Sequence, residues 1–356
     1  MVSEKIFESK ISYILYPFSF LYEILVKLRL ALYKKGFLSQ NILPGFVISV
    51  GNLSVGGTGK TPLVIKIAEW AKQKGYRVGI ISRGYRGNYK DMLLVSDGKE
   101  LKSTVFNSGD EPYLMARRLR EVVICVSKNR AKAGRFISRR YGIDFFILDD
   151  GFQHLKLKRD LDIVLLSKRD ILNKRVLPSG PLREPLGHLK RADICITTDK
   201  IEKKNILENL ENLVPEKRLF FATYITKKAV FPKKGEVALD FLRGKRVMAF
   251  AGISRPERFK ATLEKLGAEV IFFKRFPDHH WFSKKDLAEI FSLKKRLRAE
   301  LVLTTEKDWV RLVDKNKDIG YIEVEISLEK EDEFFAFIED AYTHKKNTGQ
   351  SNQLDR

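Results

Sequence analysis

Two patterns of apolar residues alternate along the chain up to about residue 215. Short apolar runs, which are typical of buried strands, are separated by longer stretches with apolar residues at helical spacing. The runs cover residues 46–50, 77–82, 122–126, 145–148, 161–166 and 192–198. Strands that alternate with helices predict an α/β fold with a doubly wound, mostly parallel sheet.

A second series of the same kind begins near residue 245. Its apolar runs lie at 247–250, 270–273 and 301–303, and helical patterns cover 255–266 and 283–298. An extended run, 220–231, precedes this series, and we expect residues 321–324 to pair with it as a two-stranded linker. The second series therefore predicts a smaller α/β domain.

These patterns divide the chain into four segments. Residues 1–38 form an amino-terminal helical segment and residues 39–218 the larger α/β domain. Residues 219–330 form the smaller α/β domain with its linker, and residues 331–356 a closing helix whose polar tail, from His344, we expect to be frayed.

The amino-terminal segment is rich in aromatic and aliphatic residues between positions 11 and 33. Its large apolar residues recur at helical spacing, at Phe18, Leu21, Leu25, Leu28 and Leu32. Proline and charged residues interrupt the run, so it fits neither a secretory signal nor a spanning helix. Two interpretations stay open: a helix that lies in a membrane surface, and a helix that packs on the domain core.

Composition narrows the choice of partners. The chain has 356 residues, of which 44% are apolar, and it carries 67 Lys+Arg against 45 Asp+Glu, a net charge of +22. Such a charge favours nucleic acid, anionic lipid or a phosphorylated substrate as partner. Cys125 and Cys195 lie within apolar runs, so we expect two buried thiols in a reducing cytoplasm.

A glycine-rich loop separates the first apolar run from a helical stretch. The candidate phosphate-binding residues are Ser54, Val55, Gly56, Gly57, Thr58, Gly59, Lys60 and Thr61. Backbone N–H groups and the helix amino terminus bind phosphates in such a loop, the lysine reaches the β/γ-phosphates and the hydroxyl binds Mg²⁺. Ser54 stands where the general P-loop pattern has glycine. A plain strand-to-helix turn is the alternative.

Acidic and basic residues follow several predicted strands. The run 145–148 ends in Asp149 and Asp150, an arrangement that can deliver a carboxylate to the Mg²⁺ of the loop threonine. Arg83 follows the second run, where open α/β sheets hold ligands. Some residues allow simpler interpretations: Asp110 and Glu111 as helix caps, His154 as a structural histidine, and Arg130 on a solvated helix face. Arg183, in a proline-rich loop, is a candidate anion contact.

Seven motifs in the same order connect this sequence to a known family. They are residues 51–61, 82–85, 109–112, 148–154, 182–185, 276–279 and 304–308. Together they resemble the tetraacyldisaccharide 4′-kinases of lipid A biosynthesis, the LpxK family, over roughly residues 10–330. The serine at position 54 is shared with that family.

The resemblance implies an ATP- and Mg²⁺-dependent P-loop kinase. Its acceptor would be the 4′-hydroxyl of a tetraacylated glucosamine disaccharide 1-phosphate, which is converted to lipid IVA. The enzyme would be a monomer that does not bind nucleic acid. It would lie at the cytoplasmic face of a Gram-negative inner membrane, bound to the anionic lipid surface by its amino-terminal helix.

The resemblance also implies residue roles. Asp110 would activate the acceptor hydroxyl with His279 as its partner, so we expect a hydrogen-bonded dyad across the cleft. Lys60 and Arg83 would complete the catalytic set, and Thr61, Asp150 and Gln153 would surround the magnesium ion. The expected substrate contacts are Tyr85, Glu111, Arg130, Asp149, His154 and Arg183.

Two other classes of protein remain possible from the sequence alone. A P-loop ATPase that acts on nucleic acid would also be basic, although it would not need the apolar amino-terminal helix. A membrane-associated NTPase that works as a switch or chaperone would have a similar loop and would hydrolyse nucleotide without a lipid acceptor.

Overall fold

The computed structural model of the chain describes residues 11–56, 59–198, 210, 212–313 and 318–354. The helices are α1 (Ile11–Ile14), α2 (Tyr16–Lys34), α3 (Lys60–Gln73), α4 (Val105–Ser108), α5 (Asp110–Arg118), α6 (Arg130–Tyr141), α7 (Lys168–Leu172), α8 (Pro256–Lys265), α9 (Lys284–Arg296), α10 (Glu306–Trp309) and α11 (Glu331–Leu354). The strands are β1 (Phe46–Asn52), β2 (Val78–Ser82), β3 (Met92–Asp97), β4 (Val123–Ser127), β5 (Phe145–Asp149), β6 (Leu161–Leu166), β7 (Ile194–Thr197), β8 (Leu219–Phe231), β9 (Gly235–Val237), β10 (Arg246–Ala251), β11 (Glu269–Arg275), β12 (Leu301–Thr305) and β13 (Ile319–Leu328). Short 3₁₀ turns cover Leu186–Arg191, Glu216–Arg218 and Leu239–Leu242.

All these strands belong to one sheet, ordered β11-β10-β12-β13-β8-β7-β6-β1-β5-β2-β4-β3, with β9 paired to β8. The first strand group, β1, β2 and β4–β7, is parallel, and so is the second group, β10–β12. Between them the long strand β8 continues the first group alongside β7 and pairs antiparallel with β13. The predicted mostly parallel α/β fold is confirmed, and so is the pairing expected for the linker.

The apolar runs form strands because both faces of the first group are covered. Every residue of β1 is buried, as a parallel sheet between two helical layers requires. Helix α3 packs on this sheet through apolar residues at helical spacing, among them Leu63, Ile67 and Ala71. The sheet therefore fixes the end of β1, where the glycine loop begins.

The structure differs from the sequence expectations in two places. The edge strand β3, which pairs antiparallel with β4, was not anticipated. Helix α11 continues to Leu354, so the polar stretch from His344, which we expected to be frayed, is helical over its described residues. Lys345 lies on this stretch, and its ammonium group is 2.6 Å from Asp160. Cys125 and Cys195 are buried as expected, and burial raises the pKa of each thiol to about 12.

The amino-terminal helix contacts the core and also exposes apolar side chains. Pro17 lies in the first turn of α2, where its missing N–H is not needed. Ser19 is buried against the core, whereas Phe18 next to it is 63% exposed. The interpretation of a helix that packs on the core is therefore confirmed in part, and the interpretation of a helix in a membrane surface stays a prediction. Across the ranges that the structure describes, none of the helices is both long enough and apolar enough to cross a bilayer.

An ion pair joins the two strand groups at the carboxyl end of α5. Arg118 Nε donates to Glu306 Oε1 at 3.0 Å, and Arg118 Nη1 donates to the Val324 carbonyl oxygen at 3.1 Å. Both charged side chains are nearly buried, with 11% and 8% exposed. Removing one partner of such a pair leaves the other as an uncompensated buried charge.

We therefore expect Arg118→Met to lower the free energy of unfolding by about 3 kcal/mol. The matched control is Lys245→Met, which removes the exposed pair with Glu300 and should cost less than about 1 kcal/mol. Denaturant unfolding of both variants makes the comparison. Equal stabilities for the two variants would show that the buried pair does not hold the strand groups together.

Candidate active site

The glycine loop leaves the carboxyl end of β1 and leads into α3. Gly59 has a left-handed backbone (φ 75°), and a Cβ there would collide with the Tyr224 hydroxyl group, which donates to the Gly59 carbonyl at 3.1 Å. The Val55 N–H donates to the Pro181 carbonyl at 2.9 Å, and Ser54 bridges to Leu182. The proline-rich loop and β8 therefore support the candidate phosphate loop. Its residues Gly57 and Thr58 lie outside the described residues.

Lys60 is the first residue of α3, and two side chains hold its ammonium group. Its ammonium group donates to Asn52 Oδ1 at 3.0 Å and lies 3.2 Å from Asp150 Oδ1. Arg183 donates to the other oxygen of Asp150 at 2.8 Å. Burial alone would raise the pKa of Asp150, but Lys60 and Arg183 outweigh it and hold the pKa well below its usual range. Asp150 is thus an ionised carboxylate between two cations.

Two oxygen atoms beside this carboxylate lack donors. Asp149 accepts from the Ser82 hydroxyl at 2.8 Å, and the Gln153 amide donates to the Asn52 carbonyl at 2.9 Å. Asp149 Oδ1 and Gln153 Oε1 are buried and accept no hydrogen bond from any described residue. Burial, with Glu111 and Asp150 next in effect, raises the pKa of Asp149 to about 6. Free carboxylate and amide oxygens are ligands that Mg²⁺ prefers.

Asp110 opens α5 and meets His279 from the second strand group. His279 Nδ1 lies 2.8 Å from Asp110 Oδ2, so the hydrogen bond expected across the cleft is present. The other oxygen of Asp110 accepts from the Glu111 N–H at 3.0 Å, but the cap position of α5 is Gly109 and no side chain caps the helix, so the expectation of Asp110 as a helix cap is wrong. His279 has a left-handed backbone (φ 61°), a strained conformation held by a hydrogen bond from its N–H to the Gly252 carbonyl at 3.0 Å.

Two further cations face Asp110 that sequence reasoning did not assign. Lys307 Nζ and Arg311 Nη1 lie 3.8 Å and 3.6 Å from Asp110 Oδ2, and Lys307 also donates to Glu111 at 2.8 Å. Burial alone would raise the pKa of Asp110, but Lys307, His279 and Arg311 together hold it well below its usual range. Lys307 lies within the 304–308 motif, which signalled it, whereas Arg311 lies outside every motif.

The remaining predicted residues line the same cleft. Arg130 is buried and donates to the Asp150 carbonyl at 2.9 Å, so the alternative of a solvated helix face is wrong for this residue. The Tyr85 ring lies 5.6 Å from the His279 ring in an edge-on arrangement, and Arg83 is exposed to the cleft. Burial, followed by the charge of Arg130, lowers the pKa of His154 to about 3, so this ring is neutral.

The cleft is large enough for a nucleotide and a sugar together. Its volume is about 1240 Å³, above the ~300–1000 Å³ typical of small-ligand sites. One wall carries Lys60 and Thr61 of the first strand group, and the other carries His279 and Lys307 of the second. In the part of the chain that is described, no three His, Cys, Asp or Glu side chains cluster as a metal centre. A magnesium ion here would therefore need phosphate and water oxygens as additional ligands.

Comparisons with known proteins point to one family. The family model described as "LpxK: Tetraacyldisaccharide-1-P 4'-kinase" matches residues 11–343. A tetraacyldisaccharide 4′-kinase of Syntrophus aciditrophicus is 41% identical over 323 residues, which cover 87% of this chain and 86% of the relative. The corresponding protein of Aquifex aeolicus is 40% identical over 319 residues, covering 89% and 95%.

A solved structure shows the same likeness. It is described as the "apo" form of LpxK from Aquifex aeolicus in complex with ATP, and it matches this chain with a TM-score of 0.79 at 38% sequence identity. The match covers 93% of this chain and 99% of that chain. Both the sequence and the fold are therefore shared over nearly the whole length.

Proposed function

This chain belongs to the LpxK family of tetraacyldisaccharide-1-P 4′-kinases, and from that premise we propose that its cleft transfers the γ-phosphate of ATP to the 4′-hydroxyl of a tetraacylated glucosamine disaccharide 1-phosphate, giving lipid IVA. As a member it is an ATP-dependent kinase of lipid A biosynthesis. The observation that carries the proposal is the Asp110–His279 pair, 2.8 Å apart in the cleft that Lys60 lines from the opposite wall. Family membership also decides against a nucleic-acid ATPase and a lipid-independent switch.

Residues on the two walls of the cleft carry out the phosphoryl transfer. The 4′-hydroxyl oxygen forms a bond to the γ-phosphorus while the bond from that phosphorus to the β,γ-bridging oxygen breaks, and ADP leaves. Asp110 accepts the hydroxyl proton, and His279 orients the carboxylate. Lys60, at the helix amino terminus, stabilises the charge on the β/γ-phosphates, and Arg83 adds a second positive charge.

We keep Thr61, Asp150 and Gln153 as the residues that would hold Mg²⁺, and we add Asp149 because one of its oxygens has no donor. The free buried oxygens of Asp149 and Gln153 fit a hard cation. When bound, the ion would neutralise charge between the β- and γ-phosphates. We assign acceptor and phosphate contacts to the other cleft residues, which are Tyr85, Glu111, Arg130, His154 and Arg183.

We further propose that the protein is a monomer peripheral to the cytoplasmic face of a Gram-negative inner membrane, with segments 1–38, 39–218, 219–330 and 331–356 as its functional divisions. The exposed apolar side chains of α1 and α2 support the membrane part of this proposal, and basic residues accompany them. The exposed residues are Tyr13, Ile14, Tyr16, Phe18, Phe20, Leu21, Ile24, Leu25 and Leu28.

Replacing two of these side chains should release the protein from membranes. We expect Leu21→Ser with Leu25→Ser to weaken binding to anionic vesicles by at least about tenfold, because two leucines no longer enter the interface. Vesicle sedimentation measures the bound fraction. The control is Leu101→Ser, an exposed leucine outside this helix. If the double variant binds vesicles as tightly as the control does, the helix is not the membrane contact.

The phosphorus spectrum of the lipid product tests the reaction. Purified protein is incubated with ATP, Mg²⁺ and the disaccharide 1-phosphate, and the recovered lipid is examined by ³¹P NMR. The proposal predicts a second phosphomonoester resonance that couples to the 4′ proton. A lipid that keeps its single phosphate, or that gains a diphosphate at position 1, would contradict it.

A further inference from the structure

Helix α2 has two faces, and each residue of the second face comes one position after a residue of the first. Phe18, Leu21, Leu25 and Leu28 form the exposed apolar face. Ser19, Tyr22, Val26 and Arg29 follow them with the same 3-4-3 steps. Successive residues of a helix point about 100° apart, so these residues form a separate docking face. Ser19 is buried, and Tyr22, Val26 and Arg29 line the cleft.

Hydrogen bonds attach the docking face to the proline-rich loop. The Ser19 hydroxyl donates to the Val176 carbonyl at 3.1 Å and lies 2.7 Å from the Ser179 hydroxyl. The Ser179 N–H donates back to the Ser19 oxygen at 2.8 Å. Ser19 and Ser179 are almost fully buried, so these bonds fix the helix against the loop at one point.

The next turn of the helix reaches a residue of the active site. The Tyr22 hydroxyl donates to the Arg183 carbonyl at 2.9 Å, while the Arg183 N–H donates to the Leu53 carbonyl at 2.6 Å. The Arg183 peptide groups are thus held between the helix and the phosphate loop. The Arg183 guanidinium group pairs with Asp150 at 2.8 Å. Burial raises the pKa of Tyr22, so its hydroxyl stays protonated and can donate at neutral pH.

A second contact lies two turns further along the same face. Arg29 Nη2 donates to the Gln153 carbonyl at 3.3 Å, and the Gln153 amide donates to the Asn52 carbonyl at 2.9 Å. The helix therefore contacts both the loop that carries Arg183 and the loop that carries Asp150 and Gln153. A helix that served only to bind a membrane would need neither contact.

We propose that Tyr22 is a positioning residue of the kinase: its hydroxyl fixes the Arg183 backbone, and through it the guanidinium group that pairs with Asp150. The amino-terminal helix is then part of the phosphate site as well as a membrane contact. This inference rests on the function proposed above. It assigns separate tasks to two faces of one helix, so substitutions on each face should have separate effects.

Tyr22→Phe removes only the hydroxyl group. We expect kcat for lipid phosphorylation in detergent micelles to fall about fivefold, the effect of one neutral hydrogen bond, with the KM for ATP changed less than twofold. Vesicle binding should stay at the wild-type level. Tyr141→Phe is the matched control, since Tyr141 ends α6 eleven residues, or about 16 Å, beyond Arg130.

A double-mutant cycle with Arg183→Met tests whether Tyr22 acts through Arg183. If it does, adding Tyr22→Phe to Arg183→Met lowers kcat further by less than about 1.5-fold. The same fivefold loss in both backgrounds, or a Tyr22→Phe enzyme with wild-type kcat, would overturn the positioning role. Lipid phosphorylation by the wild type and by Tyr141→Phe tests the proposed function separately. If neither enzyme phosphorylates the lipid, that function is overturned, whatever the result for Tyr22→Phe.

Discussion

Replacing Asp110 by asparagine should lower kcat by about a thousandfold while ATP affinity stays near the wild-type value. A positioned general base contributes ~10²–10⁴ in rate, and asparagine cannot accept the proton of the sugar hydroxyl. The amide keeps the side-chain volume and an oxygen that can accept from the Glu111 N–H, so the helix should remain intact. Steady-state lipid phosphorylation gives kcat, and equilibrium binding gives the ATP affinity.

Two further variants test whether the loss of activity is specific to the Asp110–His279 dyad. Adding His279→Ala to Asp110→Asn should cost much less than His279→Ala costs alone, because the histidine acts through the carboxylate 2.8 Å away. Asp286→Asn is the control, since Asp286 is also a carboxylate in the first turn of a helix, where it closes the capping box of α9. It should leave kcat within about twofold. Additive losses in the pair, or an active Asp110→Asn enzyme, would remove the dyad from the mechanism.

Lys60→Ala should reduce kcat by at least about a hundredfold. Phosphoryl transfer depends on positioning and on charge neutralisation, and Lys60 is the ammonium group held at the phosphate loop by Asn52 and Asp150. The control is Lys66→Ala on the same helix, where the lysine lies six residues after Lys60 and pairs with Glu331 at 2.8 Å. Comparing initial rates at saturating ATP separates the two. A Lys60→Ala enzyme as active as the control would exclude the lysine from catalysis.

The parts of the site that follow one strand or one loop could be predicted from the sequence. The glycine loop and the acids after the apolar run 145–148 are local patterns, and β1 and β5 are adjacent parallel strands, so their carboxyl ends lie side by side. The Asp110–His279 pair joins distant residues, and it was predicted through the family resemblance together with the chemical need for a base. Periodicity alone does not place those two side chains together.

The contacts that were missed depend on how distant elements pack. Lys307 and Arg311 reach Asp110 because α10 follows β12, in the second strand group. Lys307 lies in the 304–308 motif and Arg311 in none, but the sequence does not show that either side chain faces Asp110. In the sequence, Tyr22 is one of several aromatic residues in an apolar helix. Only the packed helix shows that its hydroxyl group donates to the Arg183 carbonyl. Strand β3 was missed although its sequence has four consecutive apolar residues, 92–95, and most of the strand is only half-buried at the sheet edge.

The most direct test of the central claim compares two lipid acceptors with γ-labelled ATP and Mg²⁺. One is the tetraacylated disaccharide 1-phosphate with a free 4′-hydroxyl, and the other is the same lipid with that hydroxyl replaced by hydrogen. We predict label in the first lipid, none in the second, and loss of the lipid label in Asp110→Asn. Label in the 4′-deoxy lipid, or label recovered only as inorganic phosphate with both acceptors, would contradict phosphoryl transfer to the 4′-hydroxyl by this cleft.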